Sequence, residues 1–554
     1  MQMDVHNVKN RGARQSLLNR IISQKYFPYV MLLVTNLFLA GLLFYHIGTQ
    51  VNLRNFLLFY SDNITLALYF KSLLEHGYAA SGFMYGTQGF FFPGFVLYPL
   101  SYALGLLIPG DVYSASLIIK AILQVLFFNF ALFYLGHAVF RSWRKAAYYA
   151  SFCTLAVGVI LIAGAPLAGE GWFPNVFLLT STHHIGIAIG TPLFLAGLIN
   201  YSNTKHLGNL LLLIGLPTII MPSSGAWLVW FAIPFIIALV IVFLLNLVSK
   251  KVFILASAAT VIGLVAGRLL NNLARNYFVT ISPDLTEISR IPEGLRGMRW
   301  TIINVYLQEP ALMIALAIMT ILCCYGLLHL CAILYRSSRF ESGSLSKMHE
   351  FFPQAIILSY CFVAGIALTL AAIFIGLADI TRYYSMFVVF ALLAAIPLFL
   401  LSQKLRVFIV IASMSTLTAL LLASLFALPH AQTYANPAQL TNSDYVSIVA
   451  NKDLPGDFIG DFWTVMAVGL YVDVKVSNVT TDLRLSPILQ NTYDLDNAQF
   501  QNLLIIEGSA LESVLEDLPP YSSKYRFEAQ TATNQFVSLI IYHWDEHINE
   551  YLRR

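Results

Sequence analysis

Long apolar runs separated by short polar segments occupy the first 428 residues. A helix needs about 20 apolar residues to cross a bilayer. Eleven runs are candidates for spanning helices, at residues 27–48, 112–140, 146–166, 184–201, 207–222, 225–248, 252–273, 310–335, 353–376, 384–402 and 407–428. The pattern therefore predicts an all-α polytopic membrane domain over residues 27–428.

One further apolar segment, residues 90–108, is interrupted by Pro93, Gly94 and Pro99. If it does not cross, the segments on the N-terminal side of the membrane collect 16 lysines and arginines, against seven on the other side. Basic residues concentrate on the cytoplasmic side. We therefore interpret 90–108 as a re-entrant or interfacial hairpin on the outer side. Residues 1–26 are then a cytoplasmic basic N-terminus, and the C-terminal end lies outside.

The pattern changes after residue 428, where residues 429–554 alternate short apolar runs with polar turns. Strand-like runs at 445–450, 472–479, 502–507 and 537–544, with a helix-like run at 510–517, predict a small soluble extracytoplasmic α/β domain. This region holds 16 of the 28 acidic residues and seven of the 32 basic ones. An acidic soluble domain is thus predicted to follow a basic membrane domain.

Composition supports a membrane protein. Hydrophobic residues make up 58% of the chain and charged residues 11%, whereas about 25% charged residues is usual in a soluble domain. A purely soluble fold and long disorder are therefore excluded. We expect an integral multi-pass protein of the plasma (inner) membrane, in contact with membrane lipids and without a nucleic-acid partner.

The outer loop 48–111 carries the first candidate for chemistry. Asp62 begins an amphipathic run that ends near residue 76 and is typical of a helix lying in the membrane interface. At or near the N-cap of that helix, Asp62 could serve only as a cap. It could equally serve as a general base, and the spacing leaves both roles open.

The arrangement resembles the GT-C superfamily of multi-pass glycosyltransferases, which take a sugar from a polyprenyl-phosphate carrier. The resemblance rests on three features of the membrane domain, namely an acidic residue after the first helix, interfacial helices and a Phe/Pro-rich hairpin. It is also carried by Thr180-Ser181-Thr182-His183-His184, Thr381-Arg382-Tyr383-Tyr384 and Asp461-Phe462-Trp463. The resemblance implies an inverting hexosyl- or pentosyltransferase, similar to mannosyl- or arabinosyltransferases. Its acceptor would be a lipid, a glycan or a protein.

Within this resemblance, Asp62 is the expected catalytic base. Arg382, Arg299, His183 and His184 are the expected ligands of the donor phosphate, and Glu170, Tyr383 and Trp463 the expected substrate contacts. Asp62 is flanked by Ser61 and Asn63 rather than by a second acid. The use of a divalent cation such as Mg²⁺ or Mn²⁺ is therefore left open, and the cofactor is unknown.

Structural alternatives exist for these residues. Arg382 could pair with Asp379 or anchor its helix at the lipid headgroups, and the histidine pair could contact headgroups. The charged outer loop 274–308, which contains Arg299, could be a solvated loop or a lid. Within the predicted spans, Lys120 and Arg268 are costly cations. We interpret Arg268 as snorkelling to the interface and leave Lys120 open.

Other functions remain alternatives at this stage. A secondary transporter would have repeated halves and paired ionisable groups near mid-depth, and neither pattern is visible in the sequence. A glycan polymerase or ligase of another multi-pass family would also have outer loops with Arg and His. A non-enzymatic membrane scaffold is the fourth alternative.

Overall fold

The structure is a computed structural model. It describes residues 26–49, 57–58, 61–76, 92–163, 178–179, 185–275, 292, 295–296, 321, 324–333, 335, 349–374, 386–400, 442–460, 462–472, 474, 476–478, 499–507, 510–530 and 536–548. These residues form a helical body and a smaller C-terminal domain built on a β-sheet.

The helical body is made of the following elements in chain order: α1 (Phe27–Thr49), α2 (Ser61–His76), α3 (Gly94–Gly105), α4 (Val112–Phe140), α5 (Trp143–Ala163), α6 (Ile185–Thr204), α7 (Leu207–Ile220), a π-helical turn (Leu228–Ala232), α8 (Ile233–Leu244), α9 (Lys250–Arg275), a 3₁₀ turn (His349–Phe351), α10 (Phe352–Phe374), α11 (Met386–Ala394) and a 3₁₀ turn (Ile396–Leu400). Five of them, α1, α4, α6, α9 and α10, are long and apolar enough to cross a membrane. The expected helical membrane body is confirmed. The predicted span 407–428, most of 310–335 and the boundary at residue 428 lie outside the described residues.

The body helices enclose one apolar core, within which a few buried polar groups join distant helices. Tyr149 of α5 donates a hydrogen bond to the carbonyl of Leu392 in α11 at 2.9 Å. Tyr360 of α10 donates to the carbonyl of Trp230 at 3.1 Å, within the π turn, where the regular helical hydrogen-bonding pattern is interrupted. These bonds give the two buried tyrosine hydroxyls an acceptor, and they connect α5 to α11 and α10 to the π turn.

One end of the body carries basic residues in short turns, and we call it the basic end. Arg141 links α4 to α5, and Lys205 links α6 to α7. Both adopt left-handed conformations, with φ of 49° and 56°. Arg141 also donates a hydrogen bond to Asn203. Burial, and then the nearby charge of Lys251, lower the pKa of Lys205.

Segment 90–108 contains helix α3, which has 12 residues. A helix of this length spans about 18 Å, well short of the roughly 30 Å hydrocarbon core. Pro93 precedes it, and Pro99 lies inside it. The prediction that segment 90–108 does not cross the membrane stays a prediction.

The C-terminal domain contains α12 (Asn442–Lys452), β1 (Asp457–Gly460), α13 (Phe462–Tyr471), β2 (Val476–Asn478), β3 (Phe500–Ile506), a 3₁₀ helix (Ala510–Asp517), β4 (Ser523–Gln530) and β5 (Phe536–His543). The strand order is β2-β1-β3-β5-β4. Strand β1 runs parallel to β2 and β3, whereas β5 runs antiparallel to β3 and β4. The predicted small α/β domain is confirmed.

Different helices pack on the two faces of the sheet. Val449 of α12 and Val465 and Val468 of α13 pack with Leu504 and Ile541 on one face. On the other face, Leu511 of the 3₁₀ helix packs with strand residues. Because both faces are covered, the strands β3 and β5 are buried in the centre.

One predicted strand of this domain is wrong, since residues 445–450 belong to helix α12. The predicted run 472–479 contains strand β2, Val476–Asn478. In α12, Val446 and Val449 face the same packed cluster. Their spacing of three residues is helical, and packing against the sheet overrides the β-branched composition.

Candidate active site

Helix α2 is the element that carries the predicted base. It begins at Ser61, so Asp62 lies in its first turn, near the position predicted from the sequence. The following residues Ile64–Tyr69 are all buried, whereas Leu73 and Leu74 are exposed. A helix with six consecutive buried residues is surrounded by protein on all sides. The interpretation of this helix as lying in the membrane interface is therefore wrong for its first half.

The partner that covers α2 is helix α13 of the C-terminal domain. Met466, Ala467 and Leu470 of α13 pack into one apolar cluster with Leu66 of α2 and Leu117 of α4. We call this cluster the interdomain seam, and its buried members are Leu58, Ile64, Leu66, Ala67, Leu68, Tyr69, Tyr98, Tyr113, Leu117, Met466, Ala467 and Leu470. The seam joins the C-terminal domain to the ends of the body helices opposite the basic end.

Lys71 fixes the end of α13 to α2. Its ammonium donates hydrogen bonds to the carbonyls of Gly469 and Leu470, at 3.2 and 3.0 Å. These carbonyls belong to the last turn of α13, where the helix dipole favours a cation and backbone acceptors lack helical partners. Lys71 thus caps the C-terminal end of α13 with a positive charge, although it lies about 400 positions earlier in the chain.

Tyr471 makes a second polar connection across the seam. Its hydroxyl donates to the carbonyl of Leu58 at 2.8 Å and accepts a bond from Ser114 at 3.4 Å. Burial raises the pKa of the Tyr471 phenol, so the group remains a protonated donor at physiological pH. The segment before Asp62, the start of α4 and the end of α13 are therefore tied together.

The Phe92–Pro93 turn lies at this same end of the body. The Phe92 amide donates to the hydroxyl of Ser223, in the turn between α7 and the π turn, at 2.8 Å. A Cβ added to Gly186, near the start of α6, would lie 2.6 Å from the Phe92 carbonyl oxygen. Gly186 therefore allows the hairpin to approach α6 directly after the His183-His184 pair.

The first turns of α4 complete the arrangement. Asp111 caps the helix by accepting from the amides of Ser114 and Tyr113, at 2.7 and 3.4 Å. Deeper in the helix, the amide of Gln124 donates to the carbonyl of Leu178 at 2.9 Å. Leu178 immediately precedes the segment that contains the histidine pair, so Gln124 fixes one end of that segment.

The structure brings two of the predicted site residues into elements that pack on each other. Asp62 lies in the first turn of α2, and Trp463 in the first turn of α13. The other predicted residues, Glu170, His183, His184, Arg299, Arg382 and Tyr383, lie outside the described residues.

Sequence reasoning missed the roles of Lys71 and Tyr471 altogether. A lysine within an amphipathic run is typical of a solvated face, and a tyrosine is typical of an interfacial belt. Only the fold shows that these two residues meet at the end of α13.

Over the same described ranges, no group of three or more His, Cys, Asp or Glu side chains is arranged to hold a metal ion. The isolated carboxylate of Asp62 in the sequence offers only one of the several oxygen ligands that Mg²⁺ or Mn²⁺ prefers. Glu170 and the histidine pair remain the candidates for further ligands.

The chain is similar to that in the crystal structure of ArnT from Cupriavidus metallidurans in the apo state, with 13% sequence identity and a TM-score of 0.42, over 87% of this chain and 93% of that chain. No protein-family model and no curated protein matches the sequence.

Proposed function

We propose that the protein is an integral-membrane glycosyltransferase of the GT-C type. It would move a sugar from a polyprenyl-phosphate donor to a hydroxyl group of a lipid, glycan or protein at the extracytoplasmic face. One observation carries the proposal: helix α2, which contains Asp62 in its first turn, packs between the start of α4 and helix α13 of the C-terminal domain. Asp62 thereby belongs to a helix at the junction of the helical body and the C-terminal domain. A lipid-linked donor and a hydrophilic acceptor can meet at such a junction.

The proposed reaction is a single displacement at the anomeric carbon. The Asp62 carboxylate accepts the proton of the acceptor hydroxyl as the oxygen forms a bond to the anomeric carbon. The bond between that carbon and the phosphate oxygen breaks, and its electron pair leaves with the lipid phosphate. One displacement inverts the anomeric configuration. A positioned general base contributes about 10²–10⁴-fold to such a reaction.

The leaving phosphate needs donors and positive charge, because stabilisation of developing charge is usually the largest contribution to catalysis. The proposal assigns this role to Arg382, Arg299, His183 and His184, with arginine suited to paired phosphate oxygens. Glu170, Tyr383 and Trp463 are proposed to contact the sugar or the acceptor. No step is assigned to a metal ion, and the sugar and acceptor are left open.

The proposed orientation follows from charge. The basic end contains Arg141 and Lys205 in its turns, Lys145 near the start of α5 and Lys250 at the start of α9, and the proposal puts this end in the cytoplasm because basic residues concentrate there. The C-terminal domain packs at the opposite end, and the proposal puts it outside. A transporter would instead be expected to pair ionisable groups near mid-depth. In the helices that the structure describes, the buried cation is Lys120, eight residues from the start of α4, so transport gains no support there.

The experiment compares membrane glycolipids and glycans by mass spectrometry in cells with the gene, without it, and with single variants. We expect Asp62→Asn to abolish the sugar-dependent mass difference while the protein is still made and folded. Asp111→Asn is the matched control, since it makes the same change at the same end. Asn is as good an N-cap as Asp, so this variant should retain the product. Full product in Asp62→Asn cells would refute the base assignment, and identical glycans with and without the gene would refute the function.

A further inference from the structure

Strand β4 lies at one edge of the sheet in the C-terminal domain, and the proposed roles do not use it. The strand order is β2-β1-β3-β5-β4, so none of the strands that the structure describes pairs with the outer edge of β4. All eight residues of β4 pair with β5 without a shift in register, whereas β2 at the opposite edge has three residues. Proteins usually shorten, bend or cover an edge, because its backbone can pair with another chain. Strand β4 is therefore the long and regular edge of this sheet.

The register of the sheet shows which residues of β4 turn their backbone groups outward. The amide of Glu507, at the end of β3, donates to the carbonyl of Ser538 in β5 at 2.9 Å. Backbone groups alternate in direction along an antiparallel strand, so even-numbered residues of β5 face β3 and odd-numbered ones face β4. Odd-numbered residues of β5 pair with odd-numbered residues of β4. The amides and carbonyls of Lys524, Arg526 and Glu528 therefore point away from β5.

The sequence of β4 is complementary to itself when two copies run antiparallel. If a two-fold axis passes beside Arg526, Lys524 of each copy is opposite Glu528 of the other. Both positions point outward, so each of these two pairs can form two backbone hydrogen bonds. Tyr525 is then opposite Phe527, and both aromatic and opposite-charge pairs are favourable between antiparallel strands. This register also overlaps nearly the whole strand, because residue 526 lies next to its midpoint.

The charged residues of β4 favour this register over its neighbours. The guanidinium of Arg526 donates to the Glu507 carboxylate at 2.6 Å and to the Ser538 hydroxyl at 3.2 Å, so its charge is compensated within its own chain. An axis beside Lys524 or Glu528 would instead place two like charges directly opposite each other, which is unfavourable. Lysine and arginine on an edge strand often prevent association. With the axis beside Arg526, each lysine has an acid opposite it.

The position of helix α13 makes such a pair of copies compatible with a single membrane. Val465 and Val468 of α13 pack on the sheet, whereas Met466 and Leu470 pack on the helical body. Helix α13 therefore lies between the sheet and the body. Two sheets joined by antiparallel edges form one continuous sheet, and their two-fold axis is perpendicular to it. Both α13 helices, and hence both helical bodies, then lie on the same side of that sheet.

We propose that β4 is a homodimerisation surface, on which a second copy of this chain pairs through its own β4, antiparallel and with the two-fold axis beside Arg526. Two five-stranded sheets would thereby form one ten-stranded sheet above two helical bodies. The dimer does not depend on the proposed transfer of a sugar. Asp62→Asn should dimerise as the wild type does, so the two proposals can fail separately.

The first experiment tests the register by disulfide cross-linking in isolated membranes. In a full-length protein without the five natural cysteines, Arg526→Cys should form a disulfide-linked dimer on mild oxidation. The Cα atoms of such a pair lie about 5.5 Å apart, within the range of a disulfide. Lys524→Cys is the matched control on the same strand, because the two copies of this position would be about 13 Å apart. Equal cross-linking of the two variants would overturn the proposed register.

A second cross-link keeps the outcome clear if Arg526→Cys disturbs the strand. Lys524→Cys and Glu528→Cys, placed on two differently tagged copies in one cell, should form a mixed disulfide, and neither should link to itself. Absence of the mixed disulfide would overturn the register even if position 526 cross-links. Failure of both cross-links would show that the edge has another occupant, either a segment of the same chain or a different protein, and would overturn the homodimer.

Charge reversal tests the same pairs without cysteines. Lys524→Glu and Glu528→Lys each create two like-charged pairs, and each should raise the dimer dissociation constant about tenfold, measured by analytical ultracentrifugation of the full-length protein in detergent. The double variant restores opposite charges and should dimerise nearly as the wild type does. Asp545→Lys is the control, since it reverses an exposed acid outside β4 and should leave the constant unchanged. A double variant as weak as the single variants would overturn the pairing of Lys524 with Glu528.

Discussion

The two ends of the helical body are built differently. At the basic end, two residues join α4 to α5 and two join α6 to α7, with Arg141 and Lys205 in left-handed conformations. At the opposite end, 21 residues separate α5 from α6, and the C-terminal domain packs on α2 through the interdomain seam. Binding and catalytic residues are commonly placed on long connections held by a rigid scaffold. The comparison distinguishes an end with short, tight connections from an end with a long connection and an attached domain, and the proposed function puts the chemistry at the second end.

The largest expected effect tests which end faces the outside. In a variant without the five natural cysteines, a cysteine is placed at exposed Tyr521 of the C-terminal domain or at exposed Lys205 of the basic end. A membrane-impermeant maleimide should label position 521 in intact cells and position 205 only after lysis. The opposite result would invert the orientation and remove the proposed active site from the outer face.

A substitution at a close backbone contact should have the next largest effect. Gly186→Ala places a Cβ 2.6 Å from the carbonyl oxygen of Phe92, which must move the hairpin or the helix. Overpacking of this kind costs about 1–3 kcal/mol. The unfolding free energy from detergent titration should fall by that amount. Gly215→Ala in helix α7 is the control, since no atom outside the backbone of its own helix lies within 4 Å of an added Cβ, and it should be at least as stable as the wild type because alanine favours the helix. Equal stabilities of the two variants would contradict the tight packing of the hairpin.

The polar connections of the seam should give intermediate effects. Tyr471→Phe removes the donor to the Leu58 carbonyl, in the segment before α2, at a cost of about 1–3 kcal/mol. Lys71→Met should cost about 1 kcal/mol through loss of the helix cap. Both residues hold the end of α13, so their effects should be non-additive in a double-mutant cycle.

Arg141→Gln provides the comparison at the basic end, where the side chain makes an exposed hydrogen bond to Asn203. An exposed interaction of this kind contributes little. The unfolding free energy of Arg141→Gln should differ from that of the wild type by less than about 0.5 kcal/mol. A loss as large as that of Tyr471→Phe would remove the distinction between the two ends.

The smallest expected effect concerns pH and the C-terminal domain. A hydrogen bond from Ser538, and also the charge of Arg526 at 2.6 Å, lower the pKa of Glu507 below 4.5. Because the folded-state pKa is lowered, the stabilisation is present above the unfolded value. It is lost as the pH falls from about 4.5 through the folded value. The difference in thermal unfolding midpoint between wild type and Glu507→Gln should be largest at neutral pH and shrink in acid. A difference that stays constant with pH would contradict this assignment.

The long apolar helices could be predicted from the sequence because bilayer thickness fixes their length. Helix α4 follows its predicted range of 112–140. Strand β4 also has a signal that sequence reasoning overlooked, since Tyr525 and Phe527 alternate with Lys524 and Arg526. The helix α12 could not be read in this way, because its valines have strand propensity and only packing on the sheet selects the helical form.

The seam could not be predicted from local pattern at all. Nothing near Lys71 indicates that its partners are Gly469 and Leu470, and nothing near Tyr471 indicates Leu58. The position of Asp62 near the start of a helix follows from spacing, whereas the enclosure of that helix is a property of the complete fold. Sequence reasoning therefore finds the candidate acid and misses the residues that position its helix.

The bond between Lys71 and the end of α13 has a consequence for biosynthesis. The two partners are separated by 398 positions in the chain. At about 5–20 residues per second of translation, the apolar side chains of α2 emerge about 20–80 s before the helix that covers them. During that interval another surface must shield them, such as a lipid headgroup layer or a membrane chaperone. Helix α13 therefore completes an apolar cluster whose first members were synthesised much earlier.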